Sequence, residues 1–116
     1  MNTLINSTQN SSHFVVNKKQ VSKNKTLKTS VLYNKIESNA YNSLTFHQNS
    51  SNFSFKSIEF DILNYAYLND KLEIKNSIKK LSNSELVLHI TVFKKDSSVQ
   101  NIICKATFGY CLQKAS

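Results

Sequence analysis

The sequence predicts an α+β domain in which a five-stranded antiparallel sheet wraps around one central helix. Leu32, Ile36, Ala40 and Leu44 recur every four residues, with Val31 and Tyr33 beside them, and trace one face of a helix. Glu85 to Lys94 is apolar on both faces, with Leu86, Leu88, Ile90 and Val92 against Val87, His89, Thr91 and Phe93, a pattern that suits a central strand. Leu72, Ile74 and Ile78 alternate with Lys71, Glu73, Lys75 and Lys79, which gives a strand with one wet face. A single helix among such strands has to bury its apolar stripe on their sheet.

Taken in order, Met1 to Ser12 is polar and reads as a flexible N-terminal tail, and residues 13–116 make the one domain that this length allows. Phe14 to Val21 (FVVNKKQV) is β-branched enough for the first strand, and Ser22 to Thr29 is a polar loop. Thr29 or Ser30 caps the helix. Thr45 to Asn52 is a loop by composition, and Phe53 to Leu63 is the next strand. Phe53 and Phe55 take odd positions whereas Ile58, Phe60 and Ile62 take even ones, so a bulge is expected near Lys56 and Ser57. A polar break at Asn69-Asp70 precedes the strand that starts at Lys71, and Asp70 caps that turn. Ser82-Asn83-Ser84 and Lys95 to Ser98 are the two remaining turns. Ile102, Cys104, Ala106, Phe108, Tyr110 and Leu112 form one face of the last strand. The expected order is strand, helix, then four strands in an antiparallel meander.

The net charge is +8, and all 15 basic residues are lysine. Charge alone suggests nucleic acid, but arginine, whose bidentate fork reads phosphate and guanine, is absent. No nucleic-acid partner is therefore expected. Abundant Lys, Asn and Ile with one Gly and no Arg fits drift in an AT-rich genome; the weaker alternative is that scattered lysines attract an anionic small ligand such as a coenzyme A phosphate. Cys104 and Cys111 lie seven apart on one strand, point to opposite faces and cannot bridge each other. His13, His47 and His89 are dispersed and make no metal motif. No apolar run approaches the roughly 20 residues of a membrane helix, so no membrane span is expected. The N-terminus has no secretory signal core; residues 1–12 suit either a tail or a transit segment.

A sheet wrapped around one helix is the hotdog arrangement, and particular residues point the same way. Ile62 to Asp70 (ILNYAYLND), continued by Leu72-Glu73-Ile74, resembles the tyrosine-leucine-x-proline-alanine-x-x-glycine-aspartate segment of the 4-hydroxybenzoyl-CoA thioesterase-like hotdog family. Lys79 to Glu85 (KKLSNSE) and Ile102 to Leu112 (IICKATFGYCL) are similar to that family's next turn and closing strand. Val31-Leu32 followed by Glu37 and Ser38 is similar to the helix start of its cyanobacterial and plastid 1,4-dihydroxy-2-naphthoyl-CoA hydrolase type. The resemblance implies an acyl-CoA thioesterase that releases free acid and CoA, with the 1,4-dihydroxy-2-naphthoyl thioester of phylloquinone or menaquinone synthesis as one substrate. It implies a homodimer or homotetramer, no cofactor beyond the coenzyme A of the substrate, and a plastid or bacterial cytoplasmic location.

The sequence also departs from the family. Many members carry an aspartate followed by glycine in the loop before the helix; the matching stretch here, Gln20 to Thr29, has no acid and no glycine, and no acid occurs before Glu37. Tyr65 stands where the family has proline and Asn69 where it has glycine. Thioester hydrolysis needs a carboxylate to attack or to activate water, and N–H groups at the carbonyl oxygen. The helix N-terminus offers the second through the amides of Ser30, Val31 and Leu32. Glu37 is the candidate for the first, as a base at a dimer seam or, more plainly, a surface helix glutamate. Ser22 is a weaker candidate for orienting water, while Glu59 and Asp61 read as a solvated strand pair and His89 as a sheet histidine. Tyr65, Tyr67, Phe108 and Tyr110 read as core or interface, or as an aromatic acyl pocket. The alternative function is a degenerate hotdog protein, an acyl-CoA-binding or structural subunit.

Overall fold

The computed structural model describes residues 9–47, 51–95 and 101–114. In chain order the elements are β1 (Gln9–Val15), a 3-10 turn (Lys18–Gln20), α1 (Thr29–His47), β2 (Ser51–Ile62), β3 (Lys71–Leu81), β4 (Glu85–Lys94) and β5 (Asn101–Lys114). All five strands join one sheet in the order β1-β3-β4-β5-β2, and every neighbouring pair is antiparallel. The helix packs on one face of that sheet.

The register explains the core. Rows of paired residues run across the sheet: Ile74, Val92, Cys104 and Ile62 in one, Ile78, Leu88, Phe108 and Ile58 in another. Against these rows α1 lays Leu32, Ile36 and Ala40, all buried, with Leu44 partly buried. The helix is rich in Ser, Asn and Tyr, whose intrinsic preferences cost up to about 0.7 kcal/mol per residue. Burying Leu32 and Ile36 alone contributes about 2 kcal/mol each, so packing rather than propensity holds it. β4 sits in the middle of the sheet, which is why both of its faces are apolar. The expected bulge is present: the β2–β5 register shifts between Phe55 and Ser57, which lets odd Phe55 and even Ile58 share a face.

Several expectations are corrected. The last four strands do not form a meander. Only β3, β4 and β5 do; β2 lies beyond β5, at the opposite side from β3. Three strand spacings, about 14 Å, separate β2 from β3. The eight residues from Leu63 to Asp70 cross that gap over the end of the sheet, bonded to β5 through Leu63 N–H to Ile103 O at 2.8 Å. The first strand is Gln9–Val15 rather than Phe14 to Val21, so Gln9 to Ser12, read as tail, pair with β3. Backbone pairing at a sheet edge needs no apolar side chains, and polar residues suit an edge. Thr45 to His47 continue the helix, and Ser51 and Asn52 belong to β2. Ile103, not Ile102, is buried, because the β4–β5 register shifts between Val92 and Phe93. The hairpin turn expected at Lys95 to Ser98 lies, apart from Lys95, outside the described residues.

A polar knot fastens the helix to the sheet. Asn76 of β3 is 2% exposed and its Nδ2 donates to Asn39 Oδ1 at 2.8 Å and to Ser43 Oγ at 2.6 Å. Asn39 Nδ2 in turn reaches Ser12 Oγ at 3.3 Å, which links β1 to the same cluster. Fully partnered, these groups offset their own desolvation and fix the rotation of α1 on the sheet.

Candidate functional site

The segment between β1 and α1 is a folded loop rather than slack chain. Asn17 and Gln20 cap the 3-10 turn reciprocally, side chain to backbone. Ser22 N–H donates to Thr26 O, Lys25 N–H donates to Ser22 O, and Lys25 takes a left-handed φ of 63° to close the turn. Leu27 N–H then bonds Ala66 O, and Leu68 N–H bonds Lys25 O. The loop is thereby tied to the Leu63–Asp70 connection. That connection ends in its own tight turn. Asp70 N–H donates to Tyr67 O, Asp70 Oδ2 accepts from Tyr67 N–H at 2.7 Å, and Asn69 sits at φ 74°. Asn tolerates this left-handed conformation, so it can stand in for the glycine of the resembled motif. Asp70 caps the turn as expected and also pairs with Lys94 at 3.3 Å.

Between these two loops and the start of α1 lies a cleft of about 620 Å³. Ser22, Thr26, Lys28 and Thr29 line one side, Leu63, Asn64 and Tyr65 the other, and Leu32, Ala66 and Ile103 the floor. Ser22 and Thr26 share a hydroxyl hydrogen bond of 3.1 Å at its rim. Among the described residues, no acid and no histidine lines this cleft.

The helix start is shifted by one residue from the expectation. Leu32 N–H donates to Lys28 O at 3.1 Å, so Lys28 occupies the cap position and Leu32 is already committed inside the helix. Thr29 and Ser30 are the first helical residues, not the cap. Lys28 N–H itself bonds Gln20 O. The amides of Thr29, Ser30 and Val31 have no partner among the described residues. Of the three amides expected to be open, those of Ser30 and Val31 are, as is that of Thr29, whereas that of Leu32 is used inside the helix. The first turn carries no acid to balance the helix dipole, and a lysine caps it.

Glu37 lies seven residues beyond Ser30, about 10 Å farther along the axis. It is exposed and lines a different groove of about 460 Å³, with Ser38, Tyr41, Asn42, Leu44, Phe55 and Tyr110. Within one chain the structure therefore does not bring Glu37 to the open amides. Its charge acts instead on Tyr110, whose phenol is pushed up to about 12 by burial first and by Glu37 and Tyr33 next. Tyr110 stacks on Phe108 and meets Phe55 edge-on, with ring centroids 6.3 and 5.9 Å apart. Phe108 and Tyr110 are core; Tyr65 and Tyr67 are exposed.

The other candidates stay apart. Glu59 and Asp61 are exposed on edge strand β2. His89 faces Thr107 Oγ1 at 3.4 Å on the outer side of the sheet, and burial, then Lys79 and Lys105, hold its pKa below the ordinary value. Cys104 is buried, with its thiol pushed up to about 12 by burial and by Asp61. The Ser22–Thr26 pair and the Leu63–Tyr65 wall were not identifiable as partners from sequence. The one signal was the exposable apolar run Ile62-Leu63, now 42% and 52% exposed.

No family model matches the sequence, and no curated protein gives a significant match. Solved structures do match. A hypothetical thioesterase protein from Streptococcus pneumoniae TIGR4, solved with coenzyme A, superposes with a TM-score of 0.78 over 91% of this chain and 79% of its own, at 13% identity. A Streptococcus mutans UA159 protein bound to acetyl CoA gives 0.75 over 92% and 82%, also at 13% identity. An acyl-CoA hydrolase from Staphylococcus aureus, in complex with butyryl coenzyme A, coenzyme A and coenzyme A disulfide, gives 0.81 over 91% of this chain and 63% of its own, at 12% identity. At such identities the likeness is one of architecture. One helix packed on a five-stranded antiparallel sheet, matched over nine-tenths of the chain, is the hotdog fold of these thioesterases.

Proposed function

We propose that this protein is an acyl-CoA thioesterase whose site is completed by a second copy of the chain. The observation that carries the reading is the cleft beside three open amides at the start of α1, on a fold whose solved neighbours hold coenzyme A and acyl-CoA. The thioester carbonyl oxygen would accept hydrogen bonds from the amides of Thr29, Ser30 and Val31. Water attacks the carbonyl carbon as a carboxylate removes its proton; the tetrahedral intermediate then collapses, the C–S bond breaks, and the carboxylic acid returns that proton to the leaving sulfur, so that CoA leaves as the thiol.

The carboxylate is Glu37 of a second copy. A single chain holds Glu37 about 10 Å from those amides, whereas antiparallel apposition of two helices sets the middle of one beside the start of the other. An open β2 edge, with exposed Phe55, Tyr41, Ile62, Leu63 and Tyr65 around it, supports such a pairing. The aromatic side chains at this surface suit an aromatic acyl group, and the 1,4-dihydroxy-2-naphthoyl thioester of quinone synthesis, in a plastid or a bacterium, is the first substrate to try. A second reading, a binding or structural subunit without turnover, is favoured by the lack of an acid among the described residues that line the cleft.

Release of free thiol from a panel of aromatic and aliphatic acyl-CoAs separates the two, with Glu37→Gln as control. Turnover by the native protein and its loss in the variant is the expected result. No release from any thioester, with CoA still bound, selects the second reading.

A further inference from the structure

Positive charge and exposed apolar side chains gather at the same end of the domain. β1 ends there at Val15, β3 begins there at Lys71, β4 ends there at Lys94, and the Leu63–Asp70 connection crosses it beside the start of α1. The loop from Val16 to Lys28 carries five exposed lysines, and exposed Lys71 and Lys95 add two more. The described loops of this end hold one acid, Asp70, and Lys94 pairs with it at 3.3 Å. The outer face of the sheet differs. There Lys75, Lys79 and Lys105 stand among Glu59, Asp61 and Glu73, with Asp61 directly across from Lys105. Charge is balanced on that face and unbalanced at this end.

Five of the eight exposed large apolar side chains among the described residues are at the same end: Val15, Ile62, Leu63, Tyr65 and Tyr67. Ile62, Leu63 and Tyr65 border the β2 edge. Val15 lies on β1, at the opposite edge of the sheet, and Tyr67 lies under Lys94 of central β4, 5.3 Å from ring centre to ammonium. A copy paired along β2 leaves these two open.

We propose that this end of the domain docks on an anionic membrane surface. Lysines set around protruding phenol rings and aliphatic tips suit such a surface. The ammonium groups meet anionic headgroups, and the rings and aliphatic tips enter the boundary beneath them. The lack of arginine does not weaken this contact, because attraction to a charged lipid surface needs point charges and no bidentate fork. A nucleic acid would give Val15 and Leu63 nothing apolar to enter. Docking uses loops and strand ends, inserts no helix, and needs nothing from the thioester chemistry.

Co-sedimentation of the full chain with vesicles tests it, using phosphatidylcholine alone and phosphatidylcholine mixed with phosphatidylserine. The native protein should bind the mixed vesicles, less tightly as salt rises, and should not bind the neutral ones. Each lysine at the surface contributes about five-fold, so Lys18→Gln/Lys19→Gln/Lys23→Gln should bind at least about twenty-fold more weakly. Lys75→Gln/Lys79→Gln/Lys105→Gln removes the same charge from the outer face and should stay within about three-fold of native. Thermal melts check that both variants fold. The chain has no tryptophan, so Tyr67→Trp installs a single reporter whose emission should move to the blue on mixed vesicles. Leu81→Trp, at an exposed position at the opposite end of β3, should not respond. No binding to mixed vesicles, equal losses in the two lysine variants, or equal shifts at both reporters overturns the docking. Tighter binding to a single-stranded oligonucleotide than to vesicles overturns it in favour of a nucleic acid. A blue shift of Tyr67→Trp that grows with protein concentration alone overturns it in favour of a second copy.

Discussion

Replacing Asn76 with alanine removes the donor at the centre of the polar knot between α1 and the sheet. The side chain is 2% exposed, and its amide serves Asn39 Oδ1 at 2.8 Å and Ser43 Oγ at 2.6 Å. Ser43 can turn its hydroxyl back to the Asn39 carbonyl one helical turn earlier, so it finds a new partner. Asn39 Oδ1 cannot, and a buried acceptor left without a donor costs about 1–3 kcal/mol. The small void adds roughly 1 kcal/mol. Asn76→Ala should therefore destabilise by about 2–4 kcal/mol. At about 2.1 cal/mol/K per residue, a chain of this size loses about 4 °C of Tm for each kcal/mol, so the shift is about 8–16 °C. Scanning calorimetry of Asn76→Ala, Asn39→Ala and the double variant measures it. The double variant should cost less than the sum of the singles by about 1–2 kcal/mol. Strict additivity, or a shift under about 3 °C for Asn76→Ala, would refute the claim that this knot couples helix to sheet.

Three more outcomes follow from the same structure. Lys28→Asp places an acceptor and a negative charge at the cap of α1, and should stabilise by about 1–2 kcal/mol while weakening coenzyme A binding, read by melting and titration of one sample. Cys104 and Tyr110 ionise in the unfolded chain near their ordinary values, 9.0 and 10.0, but only at about 12 when folded. Their raised values add stability that is fully present below about pH 9 and is lost as pH rises towards 12, so the urea midpoint should be lower at pH 10.5 than at pH 8. Asn69 at φ 74° should accept glycine with little change, whereas Asn69→Val, β-branched in a left-handed turn, should cost about 1–2 kcal/mol by denaturant titration.

The parts of the fold set by local pattern were legible in the sequence. The stripe from Leu32 to Leu44 marked the helix, the doubly apolar run from Leu86 to Phe93 marked the central strand, and the change of parity between Phe55 and Ile58 marked the bulge. Pairing partners were not legible. β2 and β3 are successive and read as neighbours, yet β2 pairs with β5, because an eight-residue connection can cross the sheet and nothing in periodicity records that it does. β1 was misplaced because Gln9 to Ser12 are polar, and an edge strand held by backbone bonds leaves no apolar signature. At the site, Glu37 was visible as the first acid in the chain, but its separation from the helix start only acquires meaning once the cleft and the open amides are located. The Ser22–Thr26 hydroxyl pair depends on Lys25 adopting a left-handed φ, which no glycine announces.

The central claim is that one copy supplies the cleft and amides and another supplies Glu37. Subunit mixing tests it directly. Glu37→Gln removes the base, and Leu63→Trp, at a half-exposed position in the cleft wall, fills the cleft. Each variant alone should be inactive in thiol release from an acyl-CoA that the native protein hydrolyses. Mixed and re-equilibrated in equal amounts, two-fold dimers that share sites should recover about one quarter of native activity, because half the dimers are hybrids and each hybrid has one intact site. Hybrids that form but stay inactive would contradict the account, since they would place cleft and carboxylate in the same chain.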